Sequence, residues 1–137
     1  MSEAAVSRVA SDWEKLASDL RLPSEVKDDA LKLLNLRYGE PARFYHTLDH
    51  IDELMRFYDE YRGKIVDNLA FRLAIMYHDI IYDPKSGTNE EDSAAIFEQW
   101  CKDMNERGIL EGTNITPEIR KRVFDYIIIT KKHQVGE

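Results

Sequence analysis

The chain has 137 residues, 43% hydrophobic and 33% charged, which suits one globular domain built around a single core. Its net charge of −7 excludes the broad basic face of a nucleic-acid polymer binder, while a local basic pocket for a small phosphorylated molecule stays open. A single cysteine, Cys101, cannot form an internal disulfide, no leader-type apolar stretch opens the chain, and no apolar run reaches membrane-spanning length, so the expectation is a cytoplasmic protein that does not engage a membrane.

The apolar spacing is helical almost throughout and nowhere alternates as in a strand, which predicts an all-α bundle of about six helices. A first helix is expected over about residues 3–20, with Val6, Val9, Trp13, Leu16 and Leu20 along one face. Pro23 breaks it, and Ser24 is placed to cap a second helix carrying Val26, Ala30, Leu33, Leu34 and Tyr38. Gly39-Glu40-Pro41 closes that helix and opens a loop through Arg43-Phe44-Tyr45-His46. Thr47 caps a third helix, with Asp49, Asp52 and Glu53 near its positive end and Ile51, Leu54, Met55, Phe57, Tyr58 and Tyr61 on its apolar side. After Gly63, the run Leu69–Tyr77 has Arg72 as its only polar member, the mark of a buried helix, expected from about Val66 to Tyr82. Asp83 to Gly87 reads as a turn. Thr88-Asn89-Glu90-Glu91 then fits the capping box of a fifth helix presenting Ala94, Phe97, Trp100, Cys101 and Met104. Beyond Gly108 and Gly112, Thr116-Pro117 starts a sixth helix with Ile119, Val123, Phe124, Ile127 and Ile128, running to about Lys131.

The chemistry gathers where the buried run meets His78-Asp79. A buried carboxylate is costly unless it is neutralised, paired or bound to a cation. His50, spaced four, seven and eleven residues from Leu54, Phe57 and Tyr61, is expected to face inward. Two adjacent helices then bring His50, His78 and Asp79 to one point, and mixed imidazole and carboxylate donors suit Mn, Fe, Co, Ni or Zn. The plain alternative is a hydrogen-bonded buried pair beside an ordinary core histidine.

Three segments in order carry a further signal: Arg37-Tyr-Gly-Glu-Pro-Ala-Arg-Phe-Tyr-His-Thr-Leu-Asp-His-Ile51, Leu73-Ala-Ile-Met-Tyr-His-Asp-Ile-Ile-Tyr-Asp-Pro84 and Asn89-Glu-Glu-Asp-Ser-Ala94. Together they resemble the HD-domain superfamily, in its branch of metal-dependent phosphohydrolases, over about residues 37–133. The resemblance implies an HD-domain-like helical bundle in which His50, His78 and Asp79 are three of four ligands to a divalent transition metal. It implies hydrolysis of a small phosphorylated molecule, with a nucleotide as one candidate. Asp83 is then the expected general base or water positioner. Arg43 and His46 stand in the loop before the first ligand, placed to hold a substrate phosphate, His46 also counting among the catalytic candidates. Lys131 and His133 are candidates for the same phosphate work.

The sequence departs from the family pattern at its end. The last aspartate of the HD signature is expected downstream of Thr130-x-x-His133, and the sequence stops at Glu137. Asp125 lies upstream of that segment and does not take the role. The expectations that follow are a piece of a longer protein, or a short form that holds a ligand or metal without turnover. The site could also be completed by a second chain, or by Asp83 or Glu90 standing in. Missing cover over Phe124, Ile127 and Ile128 would favour a homo-oligomer or domain swap.

Overall fold

Regular structure among the described residues of the computed structural model comprises helices α1 (Glu3–Leu20), α2 (Ser24–Tyr38), α3 (Leu48–Tyr61), α4 (Asn68–Tyr77), α5 (Asn89–Glu106) and α6 (Pro117–Val135), with a 3-10 turn at Leu110–Gly112. The structure describes residues 3–40, 47–61, 63, 65, 67–83 and 85–135, with side chains through Ile129 apart from that of Tyr61. No strand occurs among these residues, and the architecture is the all-α bundle that the helical periodicity predicts. Among the described residues no helix is long and apolar enough to cross a membrane.

The bundle is organised around α4. This ten-residue helix packs against α1, α3, α5 and α6, and a helix enclosed on several sides must be apolar nearly all round. Leu73, Ala74, Ile75, Met76 and Tyr77 are accordingly all buried. Asp67 starts the helix by accepting the Ala70 amide at 3.0 Å. Arg72, the polar exception, is buried too, with Nη1 2.8 Å from Asp19 and its guanidinium over the Tyr58 ring. On α1 the buried residues Ala5, Val9, Trp13, Leu16 and Leu20 recur every three or four positions, and Trp13 Nε1 donates to the Lys27 carbonyl on α2. Tyr77, Phe97 and Trp100 form a packed aromatic group between α4 and α5.

Several expectations need correction. The fourth helix stops at Tyr77 rather than Tyr82, leaving His78 and Asp79 in the turn that follows. α2 begins at Ser24 with Pro23 as its N-cap, because the Pro23 carbonyl already accepts the Lys27 amide at 3.0 Å. Thr88 does not cap α5 through its side chain; its hydroxyl donates to Asp92 instead. Phe57 is half exposed, because the buried stripe of α3 runs through Leu48, Ile51, Met55 and Tyr58 and leaves Phe57 on its edge. The Tyr61 side chain lies outside the described residues. α6 continues to Val135, and of its three expected exposed residues Ile127 is fully buried and Ile128 partly so, because α6 packs on both α4 and α5. Phe124 is exposed as expected, and Ile129 joins it. Two caps are as expected: the Thr47 hydroxyl accepts the Asp49 amide, and that of Thr116 accepts the Ile119 amide.

Candidate metal centre

The site is built by the way α4 ends. The last four carbonyls of a helix have no partner within it, and here each finds one. Ala74 O accepts the His78 amide at 2.8 Å and Tyr77 O accepts the Ile80 amide at 3.2 Å. Ile75 O accepts Nδ1–H of the His78 ring at 2.7 Å, and Met76 O accepts the Tyr38 hydroxyl at 2.9 Å. The same Tyr38 oxygen accepts the Asp79 amide at 3.1 Å, so α2 holds the turn directly at Asp79. His78 therefore closes the helix with its own ring, and Tyr38 fixes the backbone on both sides of it.

These bonds aim the donors. A proton on Nδ1, committed to Ile75 O, leaves Nε2 as the ring's lone-pair nitrogen in the neutral imidazole. That Nε2 lies 3.1 Å from Oδ2 of Asp79, and His50 Nε2, reaching in from α3, lies 4.0 Å from the same oxygen. The two imidazole rings are tilted against each other with centroids 5.3 Å apart. His78 and Asp79 are buried, and the His50 side chain retains only slight exposure. The three ligand atoms lie within 4.8 Å of one another, and no other His, Cys, Asp or Glu among the described residues joins the group.

A lone pair facing a carboxylate oxygen at this distance is repulsive unless a positive charge lies between them. A proton on Nε2 is the minimal answer. Burial pushes the His78 imidazole down, but the Asp79 charge and hydrogen bond, with the Ile75 carbonyl, outweigh it, and the ring titrates above its usual range. A transition-metal ion is the other answer. Ligands about 2.0–2.2 Å from one ion lie roughly 3–4 Å from each other, and the distances of 3.1 and 4.0 Å from the two imidazoles to Asp79 fall in that range. Two imidazole nitrogens and one carboxylate oxygen form a donor set suited to Zn, Mn, Fe, Co or Ni, and a ligating histidine whose other nitrogen donates to a backbone carbonyl is the usual supporting arrangement.

α5 closes the far side. Oδ1 of Asn89 accepts the Asp83 amide at 3.0 Å while its Nδ2 donates to the Asp83 carbonyl at 2.8 Å. The Ser93 hydroxyl accepts the Ile81 amide and donates to the Ile81 carbonyl. The segment leaving Asp79 is thus clamped at two points. Asp83 itself is exposed, its Oδ1 accepts the Lys85 amide in a local turn, and it is not among the converging ligand atoms. Arg43 and His46 lie outside the described residues. His133 falls within α6, with its side chain outside the described residues.

Sequence reasoning assigned no role to Tyr38, Asn89 or Ser93. Nothing local marks Tyr38, whose bonds reach across about forty residues of chain. Glu90 did carry a signal, because it begins the register Glu90, Ala94, Phe97, Cys101, Met104 and shares the buried face of α5. Comparison of the chain with protein-family models, curated proteins and solved structures found no match.

Proposed function

We propose that this chain is a metal-dependent phosphohydrolase of the HD type, acting on a small phosphorylated molecule with a divalent Mn, Fe, Co, Ni or Zn ion held by His50, His78 and Asp79. The observation that supports it most is the buried convergence of two imidazoles on one carboxylate, with the His78 ring oriented from behind by Ile75 O. Such an ion, when bound, supplies Lewis acidity against the charge that develops on a phosphoryl oxygen. The chain's own groups do the rest. The Nδ1–H bond holds the His78 ring in place, the Tyr38 hydroxyl holds the Asp79 backbone, and the surrounding core keeps water from the inner side of the donors. Arg43, His46 and His133 are the proposed contacts to the substrate phosphate, and Asp83 the proposed water positioner. Reaching the site from its clamped turn would require Asp83 to leave its bond to Lys85. A cytoplasmic setting belongs to the same reading, with the buried Cys101 thiol pushed up to about 12 by burial and therefore inert.

The test is hydrolysis of generic phosphoesters and a nucleotide panel by metal-loaded protein. Activity lost in His50→Ala and Asp79→Ala is the expected result; no hydrolysis of any substrate by the loaded wild type would sink the enzyme reading. One observation favours a second reading, a scaffold that binds metal or ligand without turnover: no fourth donor joins the three among the described residues. That reading expects stoichiometric metal and no hydrolysis.

A further inference from the structure

Beyond Asp79 the chain stays partly inside the bundle without regular structure: Ile80 is buried, and Ile81 and Tyr82 are partly so. Backbone buried outside a helix or sheet must find its hydrogen-bond partners elsewhere. Here side chains of α5 supply them at alternate residues. The buried Ser93 hydroxyl bonds both the amide and the carbonyl of Ile81. The buried Asn89 side chain does the same for Asp83. Bonding both backbone groups of every second residue is how an antiparallel strand pairs along one edge. The spacings match, since four residues of helix rise about 6 Å and two residues of strand about 6.6 Å. α5 thus stands in the place of a neighbouring strand, running in the opposite direction.

This clamp bears on the metal ligands. Asp79 turns one oxygen, Oδ2, toward both imidazoles, 3.1 Å from Nε2 of His78 and 4.0 Å from Nε2 of His50. A ligand has to be held within about 0.5 Å of its working place. On its N-terminal side Asp79 is held by the end of α4 and by the Tyr38 hydroxyl. On its C-terminal side Ser93 holds residue 81 and Asn89 holds residue 83. Without Ser93, the amide and carbonyl of Ile81 lose these bonds, and the backbone that turns to replace them takes Asp79 with it. We propose that Ser93 and Asn89 are positioning residues of the metal centre, fixing the backbone after Asp79 so that its carboxylate stands where His50 and His78 converge. The inference rests on the metal reading above and gives α5, which supplies none of the three converging donors, a part in the site.

The experiment is calorimetric titration of the chelator-treated full chain with Zn²⁺ alone, for wild type, Ser93→Ala, Asn89→Ala and Asn114→Ala, with the absorption spectrum of each protein loaded with Co²⁺. Asn114→Ala is the control, because it removes a similar side-chain bond, Nδ2 to the Asp19 carbonyl at 2.7 Å, from a segment that holds no ligand. Wild type should bind about one Zn²⁺ per chain. Ser93→Ala and Asn89→Ala should each weaken the Kd by about tenfold or more, as loss of a supporting group around a metal does. Their Co²⁺ spectra should differ from that of the wild type, while Asn114→Ala should match the wild type in both readings. Wild-type affinity in Ser93→Ala overturns the inference and leaves the metal centre standing; Asn89→Ala is read the same way should Ser93→Ala fail to fold. Equal weakening by Asn114→Ala assigns the effect to general stability and also overturns it. So does an unchanged Co²⁺ spectrum in both clamp variants, which would show the ligands still in place. Failure of the wild type to bind Zn²⁺ removes the metal reading itself, and this inference with it.

Discussion

Two buried tyrosines, Tyr38 and Tyr77, lie beside the His78–Asp79 turn, and losing the hydroxyl of each should move stability in opposite directions. Tyr38→Phe removes the oxygen that both donates to Met76 O and accepts from the Asp79 amide. Two buried backbone groups then lose their partner, each costing about 1–3 kcal/mol, so a net loss of roughly 2–4 kcal/mol is expected. For a domain of this size about 3–5 °C accompanies each kcal/mol, which makes the fall in Tm roughly 10 °C. Tyr77 is as deeply buried, yet its hydroxyl has no partner among the described residues, and burial holds it protonated far above the usual range. Tyr77→Phe removes a desolvated group that returns nothing, so Tm should hold or rise by a few degrees, about 1 kcal/mol. The assay is thermal unfolding of the metal-free proteins followed by far-UV circular dichroism. Equal falls in the two variants would refute the reasoning, since losing a hydroxyl with two bonds would then cost no more than losing one with no partner among the described residues. Tyr38→Phe should also weaken Zn²⁺ binding about tenfold, because the anchor of Asp79 is gone.

Both His50→Ala and His78→Ala should abolish metal binding, but the metal-free unfolding temperature should fall more in His78→Ala, which also uncaps Ile75 O at the end of α4; equal falls in thermal unfolding would contradict this. Asp19→Ala should destabilise by about 1 kcal/mol in urea unfolding, reduced by the half-exposure of Asp19, because it strands the buried Arg72 guanidinium, whereas Arg72→Met should be close to neutral. A larger loss for Arg72→Met than for Asp19→Ala would be the wrong order. Zn²⁺ affinity should fall as pH is lowered through the raised pKa of His78, since a protonated ring cannot ligate. Metal-free stability runs the other way. The His78–Asp79 contribution is full below the unfolded imidazole value near about 6.5 and is lost as pH rises through the higher folded value. Titrations and melts at several pH values read both signs.

Much of this was legible in the residues themselves. The spacing of Val9, Trp13, Leu16 and Leu20 gives α1 its length, and Thr116-Pro117 gives α6 its start, because both are local signals of backbone period and capping. The burial of His78 and Asp79 was legible for a related reason: an apolar run as long as Leu69–Tyr77 has to be buried, and whatever ends it is buried with it; His50 does reach the same point, although Phe57, on which its inward placement was argued, is half exposed. What stayed hidden depends on contacts distant in sequence. Ile80, Ile81 and Tyr82 continue the apolar pattern, so periodicity alone carries α4 on to Tyr82. The break comes instead from the His78 ring and from Tyr38 on another helix, which satisfy the terminal carbonyls. The Thr88 capping box failed for a local reason, since Asp92 competes for the same hydroxyl. The spacing of Asp83 from Asp79 gave no sign of the local turn in which its carboxylate accepts the Lys85 amide.

The central claim is that His50, His78 and Asp79 hold a metal ion, and elemental analysis of the purified protein tests it most directly. About one transition-metal ion per chain, lost in both His50→Ala and Asp79→Ala, is the result the geometry leads us to expect. No bound metal, even after reconstitution with Mn, Fe, Co, Ni and Zn in turn, would contradict it and leave a proton as the only positive charge between His78 and Asp79.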